Sequence, residues 1–267
     1  MSIKSKVLAA AATLTLVSGV GAAGALTAGS AAAATPSCGN SCINIFSHQF
    51  GTHASPNFTV DVLKQGERTG QPIILFRTAN FDPALDWTLA FQGTTADFFA
   101  AGLVSSAVAL HYGCIPAGLP GANFPTCFGQ NKIAVNDPAF EIEYAPFGVN
   151  SGLCMGVAAT AFQGEGVTLQ PCGVSSRTVW IADTFDSPNT LFNGYIPAIN
   201  GSNTNFSHPF VLTYPNNSFP TDKPRPQLTV TNITGSSQAS PPFFIPGPIL
   251  GTVNVNQLWG ATFGILK

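Results

Sequence analysis

Charged side chains are scarce in this chain of 267 residues, where Lys, Arg, Asp and Glu together make up 8%, against about 25% in ordinary globular proteins. Amphipathic helices need Lys and Glu to coat their outer faces, so the shortage argues against an all-helical protein and a coiled coil. The formal net charge of −2 leaves no basic footprint for nucleic acid or for an anionic membrane surface. Long apolar runs are missing beyond the N-terminus. The longest weakly polar stretch, Phe98 to Leu110, is interrupted by Gly102, Ser105 and Ser106 and is too short to span a bilayer.

Recognised catalytic signatures are missing as well. There is no Gly-x-Ser-x-Gly elbow, no His-Glu-x-x-His and no phosphate-cradling glycine loop, so no enzyme class and no cofactor is indicated. The four histidines, His48, His53, His111 and His208, have no neighbouring nucleophile or carboxylate motif that would make one a base. Cys42 and His48 stand too close in sequence to fold the helix of a Cys2His2 zinc site, which needs about 12 residues there. No metal site is expected.

What the chain does contain is 27 Gly, 21 Pro and a hydrophobic share of 45%. The first two make turns frequent and the third is enough to build a core, a combination that points to an all-β domain. At the N-terminus, Lys4 and Lys6 precede an apolar stretch from Val7 to about Val20 and a run of small residues ending AAAATPS. That is the pattern of a secretory signal peptide. Residues 1–34 are therefore expected to be removed, leaving 35–267 as a single secreted, extracellular domain.

All six cysteines, Cys38, Cys42, Cys114, Cys127, Cys154 and Cys172, follow that cleavage point. An even count in an oxidising compartment suggests disulfides. The 15 possible pairings are not resolved by sequence, although proximity favours Cys38–Cys42, Cys114–Cys127 and Cys154–Cys172.

Short segments alternate with period two. Phe58, Val60 and Val62 oppose Thr59 and Asp61; Phe140, Ile142 and Tyr144 oppose Glu141 and Glu143, as in half-buried strands. Similar strands are read at 43–46, 72–76, 167–170, 210–214, 227–230 and 252–255, with Gly, Pro, Asn or Asp between them. A helical period shows weakly around Thr95 to Leu110. The two glutamates have the residue type and spacing of a glycosidase pair, about 6.5–7 Å apart. Neighbours on one strand face rarely flank a sugar from both sides, so a solvated face is expected for them.

Only three tryptophans occur, Trp87, Trp180 and Trp259. Each closes the same succession of an alternating strand, a polar turn, a second apolar strand and a loop, with FTVDV, GLCMGV and QLTV opening the three copies. Three equivalent units imply pseudo-threefold symmetry. The copies are placed at about 38–97, 140–183 and 208–267. The wide spacing between the tryptophans calls for long inserted loops, which the composition of 98–139, 184–208 and 235–250 supports.

At these residues the chain resembles the ricin-B-type β-trefoil lectin family. GLCMGV at 152–157 and LQPC at 169–172 match that family's second-repeat pattern, and Gln257-Leu258-Trp259 supplies its Gln-x-Trp, with Asn256 before it. The resemblance implies a β-trefoil with a Cys154–Cys172 disulfide and with Trp87, Trp180 and Trp259 as core anchors. It also implies carbohydrate binding, in which a carboxylate accepts from sugar hydroxyls, a ring stacks on the pyranose and amides add contacts. Here Asp61 would be the carboxylate, Phe76 the ring, and Asn256 and Gln257 the amides. Repeat one has Ala84 and Leu85 where its own amides should be, repeat two has Gly156 and Gln170 in place of acid and ring, and repeat three has Thr229 in place of the acid. The expected partner is a glycan or polysaccharide. An alternative is an extracellular protein bound through the proline-stiffened apolar loop at Phe243, Phe244, Ile245 and Ile249.

Overall fold

The computed structural model describes residues 42–52, 54–77, 87–106, 108–109, 138–158, 162–182, 189–195, 210–215, 218–233 and 253–263. The leader at 1–34, Cys38, Cys114, Cys127, Ala84, Leu85 and the loop at Phe243 to Ile249 lie outside them.

Thirteen strands are formed by the described residues. The first unit holds β1 (Ile43–Ser47), β2 (Phe58–Val62), β3 (Ile73–Arg77) and β4 (Trp87–Thr94). The second holds β5 (Pro138–Tyr144), β6 (Leu153–Gly156), the short β7 (Glu165–Gly166), β8 (Thr168–Pro171) and β9 (Val179–Ala182). The third holds β10 (Leu191–Asn193), β11 (Phe210–Thr213), β12 (Thr229–Asn232) and β13 (Trp259–Phe263). The helix α1 (Thr95–Ala100) leaves the end of β4.

Six strands close into a ring. β1 pairs with β4, β4 with β5, β5 with β9 and β9 with β10, all antiparallel. A bridge from Asn189 to Trp259 carries the ring to β13. The five-residue ladder of β13 against β1 completes it. Closure leaves the barrel wall without a free edge for another chain to pair with.

Six of the other strands make three hairpins, β2–β3, β6–β8 and β11–β12, gathered over one end of the barrel, and the short β7 pairs with β12. Their backbones join in a cycle. Ile73 N–H donates to Val167 O (3.0 Å), Val167 N–H to Leu228 O (2.7 Å) and Leu228 N–H to Ile73 O (2.8 Å). Each of these residues stands two positions before one of the hairpin partners Leu75, Leu169 and Val230, so the cycle is a threefold relation expressed in the main chain. The fold is a β-trefoil.

The tryptophans fix which residues are equivalent. All three are buried, and each indole N–H reaches the first hairpin strand of its own unit. Trp87 donates to Val60 O (2.9 Å), Trp180 to Met155 O (2.9 Å) and Trp259 to Leu212 O (2.8 Å). Val60, Met155 and Leu212 therefore correspond, and so do Asp61, Gly156 and Thr213, one residue on. This corrects the third copy read from the sequence: QLTV belongs to the second hairpin strand, and Thr213, not Thr229, stands where repeat one has its acid. The expected strand at 252–255 is also replaced, by a 3-10 turn at Val255–Gln257 whose Leu258 N–H bonds Val255 O.

Two apolar clusters hold the barrel. The larger runs through the barrel and the hairpin cap and includes Ile45, Val60, Leu75, Ile142, Leu169, Leu212 and the tryptophans. The smaller lies where Phe98 of α1, with Val104, Val108 and Ala109, packs against Val179, Ile181, Phe192 and Val211. α1 is started by a capping box, in which Asp97 N–H donates to the Thr94 hydroxyl while the Asp97 carboxylate accepts from Thr94 N–H. The beginning of the insertion after β4 is thus part of the core rather than a solvated loop.

Glu141 and Glu143 are not on a solvated face. Both are buried, at 2% and 6% exposure, because the turns around the β6–β8 hairpin fold over the outer side of β5. Glu141 accepts from Gly173 N–H (2.9 and 3.1 Å to its two oxygens) and from the Thr178 hydroxyl (2.5 Å). Glu143 accepts from Gly152 N–H (2.7 Å). The two carboxylates tie down the turns that flank the hairpin, whose ends the Cys154–Cys172 disulfide also joins. Cys42 is disulfide-bonded too, to a cysteine outside the described residues.

Candidate functional site

The register of β2 against β3 places Asp61 opposite Ile74 and Thr59 opposite Phe76. At the end of β2 the chain turns through Leu63–Gln65, where Lys64 (φ 57°) and Gln65 (φ 53°) both take left-handed backbone. Two successive non-glycine residues in that region are strained, by about 1–3 kcal/mol each, and must be held by their surroundings. Gln71 does so from below. It is 5% exposed, donates its side-chain amide to Leu63 O and accepts from Arg68 Nε (3.0 Å), while Leu63 N–H bonds Pro72 O (2.9 Å).

The threefold cycle brings a distant segment alongside. The Ile74–Gln227 bridge sets the residues just before β12 against β3, so Pro224 and Arg225 reach Phe76. Arg225 places its guanidinium 4.5 Å from the Phe76 ring centroid, a cation–π distance. Asp61, Leu63, Lys64, Gln65, Ile74, Phe76, Pro224 and Arg225 line one concavity of about 570 Å3. Asp61 is 4% exposed, and its Oδ1 accepts from Val62 N–H (2.6 Å), which fixes the carboxylate against the main chain.

Asp61 and Phe76 are therefore brought together. Asn256 and Gln257 do not line this concavity; they are buried at the third unit's hairpin. Asn256 Nδ2 donates to Tyr214 O (2.9 Å). Gln257 Nε2 donates to the Thr213 hydroxyl (3.2 Å), the Thr231 hydroxyl (3.0 Å) and Asn232 O (3.0 Å). Each amide is engaged with its own unit, where it pins the Gln-x-Trp turn to β11 and β12.

The equivalent places in the other two units are filled. At Gly156 a Cβ would lie 2.9 Å from Arg177 O and 2.9 Å from Thr178 Cγ2, so no side chain, let alone an acid, fits where Asp61 stands in unit one. In unit three the Thr213 hydroxyl bonds Val211 O (2.9 Å) and lies 2.8 Å from the Thr231 hydroxyl, with Gln257 beside both. Thr231 occupies the ring position and offers no aromatic face. Among the described residues, unit one alone keeps an acid beside an aromatic ring.

Reading the sequence pointed to Asp61 and Phe76 but missed Lys64, Gln65, Pro224 and Arg225. Nothing local marks the last two, because they arrive from the third unit through the hairpin cycle. The one available signal was the rarity of charge, which makes each of the 10 basic residues worth placing.

No family model matches the chain, and no curated protein matches it. Among solved structures it is similar to a designed threefold-symmetric protein, ThreeFoil, at 11% identity and a TM-score of 0.43, covering 83% of this chain and 97% of that one. It is also similar to the agglutinin from Abrus precatorius, at 13% identity and a TM-score of 0.26, covering 83% and 96%. At such identity and similarity neither likeness carries the fold. That rests on the chain's own barrel closure and hairpin cycle.

Proposed function

We propose that the protein is a secreted, non-catalytic carbohydrate-binding protein with a single working site, the concavity between Asp61 and Phe76. The observation that carries this reading is the assembly of complementary groups in that one place. Asp61 is a hydrogen-bond acceptor, Lys64, Gln65 and Arg225 are donors, and Leu63, Ile74 and Phe76 form an apolar floor. A sugar presents hydroxyls at its edges and C–H groups on its faces, and needs both kinds of surface. The Arg225 guanidinium covers part of the ring, so the sugar meets the donors of Arg225 at the place where a bare ring would offer only stacking. Export is supported by the Lys4/Lys6 leader pattern and by the disulfides at Cys42 and Cys154–Cys172.

The test is a broad panel of immobilised glycans and microbial polysaccharides, probed with the purified protein and with Asp61→Asn, which keeps an acceptor for Val62 N–H but removes the charge. Selective binding that falls about tenfold or more in the variant is expected, the scale set by losing a charge-assisted hydrogen bond. Binding to no glycan, or equal binding by the variant, overturns the reading.

A further inference from the structure

The hairpins close one end of the barrel, and the other end is hollow. There a cavity of about 500 Å3 is lined by residues of all six barrel strands, among them Ile43, Phe140, Leu191 and Trp259. The threefold register explains why the space is there. The junction pairs Phe46–Thr59, Glu143–Cys154 and Phe192–Val211 make Ile45, Ile142 and Leu191 equivalent, and these three form one layer of the wall. Each pairs directly with the residue two positions after a tryptophan, Ile142 with Leu89, Leu191 with Ala182 and Ile45 with Ala261. Two alanines where the first unit has a leucine leave the barrel short of packing volume on two of its three sides.

We infer that this mouth is a second binding site, separate from the Asp61 concavity, for an uncharged amphiphile: an aliphatic or alicyclic tail inside the barrel and one hydroxyl or carbonyl head at its rim. Three features select that class. The described lining is apolar, and among the described residues no ionisable side chain lines the cavity, so a charged guest would meet no counter-charge there. Gln92, which is exposed, is among the lining residues and can meet one polar head. The volume lies within the about 300–1,000 Å3 range of small-molecule sites, and apolar cavities of about 150 Å3 already take up benzene. Barrel mouths are a recurrent place for such sites.

The test uses the intact protein with the fluorescent probe N-phenyl-1-naphthylamine and decan-1-ol as competitor. The probe is expected to bind and brighten, decan-1-ol to displace it, and decanoate to compete at least about tenfold more weakly because its charge finds no partner. Ala182→Leu and Ala261→Leu, which fill the hollow, are expected to abolish binding while leaving the thermal midpoint unchanged or higher. Should either fail to fold, NMR contacts between decan-1-ol and the methyl groups of Ala182, Ala261 and Ile43 in the unsubstituted protein decide the matter, and they are expected. Absence of those contacts, no binding of probe or alcohol, or undiminished binding by folded filled variants overturns the inference. Asp61→Asn should leave probe binding unchanged, so failure here and failure of the glycan reading are separately visible.

Discussion

Tyr214 shows how a single buried group sets a pH limit. Its ring is fully buried and meets the Phe50 ring edge-on at 5.0 Å, and its hydroxyl has no hydrogen-bond partner among the described residues. Burial, with the nearby negative charge of Asp222 adding to it, pushes the phenol up from its ordinary 10.0 to about 12. A raised pKa in the folded state means that the stabilising preference for the neutral phenol is fully present below pH 10. It is lost as pH rises from about 10 to about 12, where the unfolded chain has released the proton and the folded chain has not. Absorbance titration is expected to show Tyr214 ionising late, a component that Tyr214→Phe removes. Tyr214→Phe should leave stability at pH 7 unchanged or raised, because the hydroxyl makes no bond to lose, and should flatten the decline at high pH. A large loss of stability at pH 7 would mean that the hydroxyl is paired.

At the scale of elements, strands with one apolar face were legible from period two, and β1, β2, β3 and β11 lie close to where alternation puts them. β5 shows what alternation misses. Its sequence has the polar face of an exposed strand, yet Glu141 and Glu143 are buried, because acidic side chains can be satisfied by backbone N–H groups of turns that arrive later in the chain. Glu141→Ala removes the acceptor for Gly173 N–H and the Thr178 hydroxyl, and should cost about 2–3 kcal/mol in urea unfolding. Glycan binding should be unaffected, since the loss falls in the second unit. An unchanged unfolding midpoint would contradict the role given to this carboxylate. The segment at 252–255 fails for a related reason: TVNV alternates as a strand does, but Asn256 and Gln257 anchor the following residues to Tyr214 O and Asn232 O and hold Val255–Gln257 in a turn.

For the whole molecule, the recurring tryptophan was the most informative feature of the sequence, because it marks a hydrogen bond repeated three times at the barrel centre. The third unit was misaligned by one strand for a physical reason. Its indole bond spans 47 residues, against 27 and 25 in the others, so the strand nearest in sequence imitated the true partner. The candidate site was half legible. Asp61 and Phe76 follow from strand register within one hairpin, whereas Pro224 and Arg225 depend on the packing of hairpins from different units. The proposed function is asymmetric: on that reading the threefold scaffold keeps one sugar site, since Gly156 admits no side chain and Thr213 is bonded within its own unit. The most direct measurement is the stoichiometry, by isothermal titration calorimetry, of the best glycan from the panel. One site per chain, abolished by Asp61→Asn, is expected; two or three equivalent sites, or one site that survives the substitution, would contradict it.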